Sequence, residues 1–132
     1  RLYSITSYSE LEKDAKSILR QNTLSPSNKK QNYLQQLISN NDPIVATSDY
    51  VRAYSQLISS YTDNKFLALG TDGFGRSDTR KNLRDFFEVD SKHIVVSSLY
   101  TLYEDGKISL DKVEKAIKKY NLNNNKINPW DL

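Results

Sequence analysis

The sequence predicts an α/β fold, a three-layer α/β/α sandwich built on a mainly parallel sheet, and three observations lead there. Short apolar runs alternate along the whole chain with longer stretches of helical periodicity. Two of those runs, Ile44-Val45-Ala46 and Phe66-Leu67-Ala68-Leu69, are continuous rather than alternating, the pattern of strands covered on both faces. A length of 132 residues with 37% hydrophobic content suits one core and leaves no room for a second. Strands joined through helices require crossovers, and right-handed crossovers set the strands parallel with helices packed over the sheet.

In chain order, Leu2, Tyr3 and Ile5 read as a first strand ended by Thr6 and Ser7. Ser7 and Glu10 have the spacing of a capping box, and Leu11, Ala15, Ile18 and Leu19 then recur on one helical face. The polar stretch from Asn22 to Lys30 marks a surface loop before a short helix carrying Leu34, Leu37 and Ile38. The second strand, at Ile44, Val45 and Ala46, precedes a helix capped by Ser48 or Asp49 and lined by Val51, Tyr54, Leu57, Ile58 and Tyr61. After the third strand and a glycine-rich turn come a helix with Leu83, Phe86 and Phe87 inward, then one capped by Asp90 that carries Val95, Val96, Leu99, Leu102 and Tyr103 and stops at Gly106. Ser109 caps a last helix with Leu110, Val113, Ile117 and Tyr120 inward, and an Asn-rich tail follows, anchored by Trp130.

Composition excludes several functions. With no Cys there is no disulfide framework, thiolate metal site or thiol catalysis, and a single His leaves metal binding poorly supported. No apolar run approaches the roughly 20 residues that span a bilayer, and no export signal is present, so the chain reads as soluble. It starts at Arg1 and contains no Met, which we take as the mark of a piece of a longer protein. The net charge of +3, with a pI of about 9.0, invites a nucleic-acid role. Yet the densest basic segment, from Lys112 to Lys119, interleaves Asp111 and Glu114 so that Asp111–Lys115 and Glu114–Lys118 fall at i,i+4, the signature of a solvated helix face.

Chemistry is most plausible in Gly70-Thr71-Asp72-Gly73-Phe74-Gly75-Arg76-Ser77-Asp78, between a strand and a helix, where open α/β sheets place ligand loops. One reading is anion binding by glycine backbone and Arg76, though the segment matches neither common phosphate-loop motif. A second, thiamine diphosphate binding, finds an echo in Asp72-Gly73 but lacks the preceding Gly. The third and favoured reading is structural: Gly70, Asp72, Gly73, Phe74, Gly75, Arg76 and Ser77 form a tight turn with glycines at φ > 0, Phe74 in the core, and Ser77 or Asp78 capping the next helix. His93, one turn into a helix beside Lys92, has no partnered Ser nucleophile and reads as a satisfied or exposed histidine. Glu10, Asp14, Glu88, Asp90, Glu104 and Asp105 fall at caps or solvated faces, and no acid–base pair emerges from spacing. We therefore expect no catalytic, cofactor-binding or metal residue in this chain.

The run from Leu69 to Arg80, continued by Asn82-Leu83-Arg84, Phe87-Glu88-Val89-Asp90 and Ile94-Val95-Val96, closely resembles the C-terminal, transketolase-like domain of the homodimeric bacterial pyruvate dehydrogenase decarboxylating component. The likeness extends through Ser4-Ile5-Thr6-Ser7, Ala46-Thr47-Ser48-Asp49-Tyr50, Ala116-Ile117-Lys118-Lys119-Tyr120 and Asn128-Pro129, covering essentially residues 1–132. It implies a cytoplasmic oxidoreductase of pyruvate metabolism and glycolysis that uses thiamine diphosphate and Mg²⁺, decarboxylates pyruvate, and acetylates the lipoyl group of an acetyltransferase component. The cofactor would lie in domains preceding Arg1. This domain would pack against the rest of its own subunit and a second subunit, touching neither nucleic acid nor membrane. The resemblance also implies an N-terminal truncation, since such domains open with one more strand–helix unit, whose loss would leave a sheet edge open to association. Two other functions compete with this one: an anion- or partner-binding module using the loop of residues 70–80, and a basic nucleic-acid binder.

Overall fold

The computed structural model describes residues 1–131. Its elements run α1 (Tyr8–Leu24), α2 (Tyr33–Leu37), β1 (Ile44–Thr47), α3 (Arg52–Gln56), β2 (Phe66–Leu69), α4 (Arg80–Phe86), α5 (Ser91–Glu104) and α6 (Leu110–Tyr120), with short 3-10 turns at Ser59–Tyr61 and Pro129–Asp131. The two apolar runs pair as parallel strands in the register Ile44↔Phe66, Val45↔Leu67, Ala46↔Ala68 and Thr47↔Leu69, joined by the α3 crossover. Helices α3 and α5 both pack on the two strands, and α6 packs on α5. The cluster of Tyr8, Leu34 and Ile58, with Ile5, Leu11, Tyr54 and Phe66 around it, joins α1, α2 and α3 to β2 and draws on neither α5 nor α6. The helices thus cover the strands as two separate groups, and the α/β class holds. Burying a side chain as fully as Ile58, at 3% exposure, stabilises by roughly 1.5–3 kcal/mol.

The expected first strand does not form. Leu2, Tyr3 and Ile5 lie in an extended segment without ladder bonds, so the sheet has two strands among the described residues. Leu2 is 98% exposed, while Ile5 packs on the α1–α3 cluster and the Tyr3 hydroxyl donates to the Leu37 carbonyl at 3.4 Å. Alternating apolar residues supply side-chain contacts, but a strand also needs a neighbour's N–H and C=O groups, and none faces this segment.

Caps decide the helix limits. Half of the expected box at α1 is present: Glu10 N–H donates to Ser7 Oγ (3.2 Å), while the Glu10 carboxylate pairs with Lys13 (2.6 Å) instead of returning to Ser7. A complete box appears at α2, where Gln35 N–H donates to Asn32 Oδ1 (2.8 Å) and Asn32 N–H donates to Gln35 Oε1 (3.1 Å). Neither Ser48 nor Asp49 caps α3, whose N-cap is Val51; Ser48 Oγ accepts from Tyr50 N–H (3.0 Å) and shapes the turn after β1. Asp90 caps α5 as expected, accepting from His93 N–H at 3.0 Å, and Ser109 occupies the N-cap of α6 without a side-chain bond. Of the expected inner face of α6, Val113 is buried, Ile117 and Tyr120 are half-buried and Leu110 is exposed; Ala116 is buried as well.

Helices α4, α5 and α6 all end with a residue at positive φ: Glu88 (60°), Gly106 (70°) and Asn121 (52°). In each case the next N–H closes back onto the last turn, Val89 to Arg84, Lys107 to Leu102 and Leu122 to Ile117. This bond satisfies a terminal carbonyl that would otherwise lack a partner. Only the Gly106 stop was legible, because Glu and Asn are not glycine.

Candidate functional site

Both strands deliver their carboxyl ends to the same side, and the loops that leave them, residues 48–51 and 70–79, meet there. Ser48 N–H donates to Leu69 O (3.1 Å), Thr71 N–H to Tyr50 O (2.9 Å), and Thr71 Oγ1 to Asp49 O (2.8 Å). Two glycines make this closeness possible. A Cβ on Gly70 would stand 2.6 Å from Tyr50 O and 2.7 Å from Arg52 N, and one on Gly73 would stand 2.8 Å from Pro129 O. Gly73 also holds φ at +105°, where other residues are strained.

Asp72 locks the arrangement. Its Oδ1 accepts from Arg52 N–H at 2.9 Å, and its Oδ2 lies 3.0 Å from Arg52 Nε, as an ion pair off the hydrogen-bonding line. The guanidinium then stacks over the Trp130 ring, 4.5 Å from its centroid, while Pro129 is buried. The tail is therefore anchored at Pro129 and Trp130, through Arg52. Spacing alone missed Arg52, which is 20 residues from its carboxylate partner.

The second half of the loop differs. Phe74, expected in the core, is 81% exposed, and Gly75, expected at φ > 0, is not at positive φ and has open space where a Cβ would lie. Ser77 and Asp78 do not form the N-cap of α4; Thr79 does, accepting from Asn82 N–H at 3.3 Å. Asp78 supports it from one residue earlier, accepting from Thr79 N–H (2.6 Å) and Asn82 Nδ2 (2.9 Å). The hydroxyl one residue nearer the helix wins because only its residue precedes the first helical one. The Arg76 guanidinium stacks on Phe86, 4.2 Å from the ring centroid. Between this half-loop and α4 lies a cavity of about 470 Å³, and beside it, toward the start of α5, a broader depression of about 970 Å³.

At the rim of that depression His93 Nδ1 lies 2.6 Å from Asp90 Oδ1, both side chains largely covered. Burial alone would raise the Asp90 carboxyl, but the backbone and ring of His93 outweigh it and hold it below its ordinary value. The fold also brings Asp85 near, so that the ligand-type atoms of Asp85, Asp90 and His93 lie within 4.8 Å of one another, a grouping spacing did not reveal. Asp90 Oδ1 accepts from the His93 backbone N–H and lies within hydrogen-bond distance of its Nδ1. Of the two expected alternatives, satisfied or exposed, His93 takes the first.

Known proteins match this chain closely. The family model described as transketolase-like TK C-terminal domain matches residues 1–90. The pyruvate dehydrogenase E1 component of Cupriavidus necator is 42% identical over 133 residues, covering 99% of this chain and 15% of that protein. The same-named proteins of Buchnera aphidicola subsp. Schizaphis graminum and Escherichia coli K12 are 43% and 40% identical over 97% of the chain and 14% of their own length. The chain thus spans about one seventh of these relatives. Residues 1–90, the span of that family model, hold both parallel strands, the crossover helix between them and the glycine loop at their carboxyl ends, and the chain belongs to the family of transketolase-like C-terminal domains.

Proposed function

We propose that this chain is the C-terminal supporting and assembly domain of a cytoplasmic pyruvate dehydrogenase that uses thiamine diphosphate and Mg²⁺, decarboxylates pyruvate and acetylates the lipoyl group of an acetyltransferase partner. One observation carries the reading: relatives named for that enzyme align over 97–99% of the chain at about 40% identity. In those relatives the matching stretch is 14–15% of a much longer protein. No helix among the described residues is long and apolar enough to cross a membrane.

The groups in this domain that could hold Mg²⁺ are engaged by protein partners. Asp72-Gly73 echoes a metal-binding pair, but both Asp72 oxygens are turned to Arg52, one on its N–H and one on its Nε. Asp90 and His93 are likewise spent on each other. In this reading the domain presents packed helices to the rest of its subunit and to a second subunit of a homodimer, and supports an active site built elsewhere.

Mixed with pyruvate, Mg²⁺ and thiamine diphosphate, the isolated chain should release no carbon dioxide above a cofactor-only control. The longer parent protein should do so, and deleting this domain from it should dissolve the dimer and with it the activity. Decarboxylation by the chain alone, or a deletion that stayed dimeric and fully active, would overturn the reading.

A further inference from the structure

The cavity of about 470 Å³ beside α4 has an apolar floor and a cationic rim. Leu83, Phe87 and Val89 form the floor, and Phe87 and Val89 are buried. Arg76, Arg80 and Arg84 stand on the rim, four residues apart, so that Arg80 and Arg84 project from one face of α4 and Arg76 reaches in from the loop. Their charges are not equally spent. Arg84 lies 3.8 Å from Asp49, whereas Arg76 and Arg80 form no ion pair among the described residues. The two carboxylates that also line the cavity are committed: Asp49 to Arg84, and Asp78 to the cap of α4. The Arg76 guanidinium lies over the Phe86 ring, 4.2 Å from its centroid, a contact that restrains the side chain and so lowers the entropy lost when it grips an anion.

We infer that this cavity binds a small organic phosphate, its dianionic head held between Arg76 and Arg80 and its apolar body laid on Leu83, Phe87 and Val89. Paired guanidinium groups match phosphate oxygens in geometry and charge. The volume falls in the range of roughly 300–1,000 Å³ typical of small-molecule sites. Open backbone at Gly75, where a Cβ would meet nothing within 4 Å, leaves space at the mouth. The inference stands apart from the pyruvate reading, because neither the floor nor the rim takes part in it.

Phenyl phosphate is the probe, titrated into the 132-residue chain while its backbone amides are followed by NMR. We expect saturable 1:1 shifts centred on Gly75, Arg76 and Arg80, with inorganic phosphate at least fivefold weaker for want of an apolar body. The exposed pair Arg76→Gln/Arg80→Gln should weaken binding at least tenfold with the rest of the spectrum preserved. Lys112→Gln/Lys115→Gln, which removes the same charge from α6, should leave it unchanged. No saturable shift, shifts centred elsewhere, an equal loss in the α6 pair, or benzoate binding as tightly as phenyl phosphate would each overturn the inference. Because no decarboxylation is measured, failure here is distinguishable from failure of the pyruvate reading.

Discussion

At the amino ends of β1 and β2 charge is neutralised pair by pair, while at their carboxyl ends it is left over. Lys107 Nζ reaches Asp42 Oδ1 (2.6 Å) and Asp105 Oδ2 (3.1 Å), and Lys65 Nζ lies 3.5 Å from Asp105 Oδ1. Asn64 Nδ2 donates to the carbonyls of Asn40 and Asp42 at 2.7 Å, tying together the two loops that feed the strands. At the other end, Asp72 and Arg52 are locked together, but Arg76 and Arg80 have no carboxylate partner among the described residues and border a cavity. Polar groups that complete one another hold a fold in place. Cations left free beside an apolar floor are available to something else. Within the glycine loop the same division falls between Gly73 and Phe74.

That division is tested most severely at Gly70. A Cβ there would meet backbone atoms of Tyr50 and Arg52 at 2.6–2.7 Å, and backbone cannot rotate away as a side-chain tip can. Gly70→Ala should therefore cost roughly 3 kcal/mol, the upper end of the usual overpacking range. Gly73→Ala combines a φ of +105° with a contact to Pro129 O and should cost about 2 kcal/mol. Urea denaturation gives both values. If either variant kept the parent's stability, the first half of the loop would not be the packed half.

The amino end answers to pH. The Lys107 hydrogen bond holds the Asp42 and Asp105 carboxyls below the ordinary 3.8, and the Asp42 hydrogen bond holds the Lys107 ammonium above 10.5. A carboxylate with a depressed folded pKa stabilises above its unfolded value and loses that contribution as pH falls through the folded one. A lysine with a raised folded pKa stabilises below 10.5 and loses its contribution as pH rises through the folded value. Thermal melts should thus fall off below about pH 4 and again above about pH 10.5. Lys107→Met should flatten both limbs by lowering the neutral-pH plateau by the same amount that the limbs lose, and that amount is small because Lys107 and Asp42 are exposed and screened. Identical acid limbs in the variant and the parent would mean that the network is ornamental.

The strands were legible because continuous apolar runs need no partner to be recognised, and Ile44–Thr47 and Phe66–Leu69 lie where periodicity put them. The misplaced strand at Leu2, Tyr3 and Ile5 shows the converse, since the pattern cannot reveal whether a neighbour exists to complete the ladder. Caps within three residues were read with mixed success: Asp90 held, whereas Thr79 took the place of Ser77 and Asp78 because adjacent polar residues compete for one N-cap. At the site, the glycines lie in the loop that leaves β2 at the strands' carboxyl ends. Their spacing could not separate the glycines crowded by distant chain from the one facing open space. The Asp72–Arg52–Trp130 clamp was invisible for the same reason, its members being brought together only by the fold. Anion binding by glycine backbone and Arg76 is legible as a possibility within residues 70–80, and the structure adds a cavity there, lined by Arg76, Arg80 and an apolar floor.

The smallest effects belong to Gly75 and Phe74, where sequence reasoning anticipated large ones. Gly75 is not at positive φ and a Cβ there has no neighbour within 4 Å, so Gly75→Ala meets neither strain nor crowding. Restricting the unfolded chain could even stabilise it slightly, by about 0.4–1 kcal/mol at a compatible site. Phe74 is 81% exposed and buries too little surface for its loss to register in folding. Phe74→Ser should therefore stay within about 0.5 kcal/mol of the parent, as exposed substitutions away from caps and core generally do. Urea denaturation of both variants beside Gly70→Ala and Gly73→Ala makes the contrast internal to one loop. Destabilisation of more than about 1.5 kcal/mol at Gly75 or Phe74 would show that this half of the loop is held as firmly as the first, and would erase the boundary drawn at Gly73.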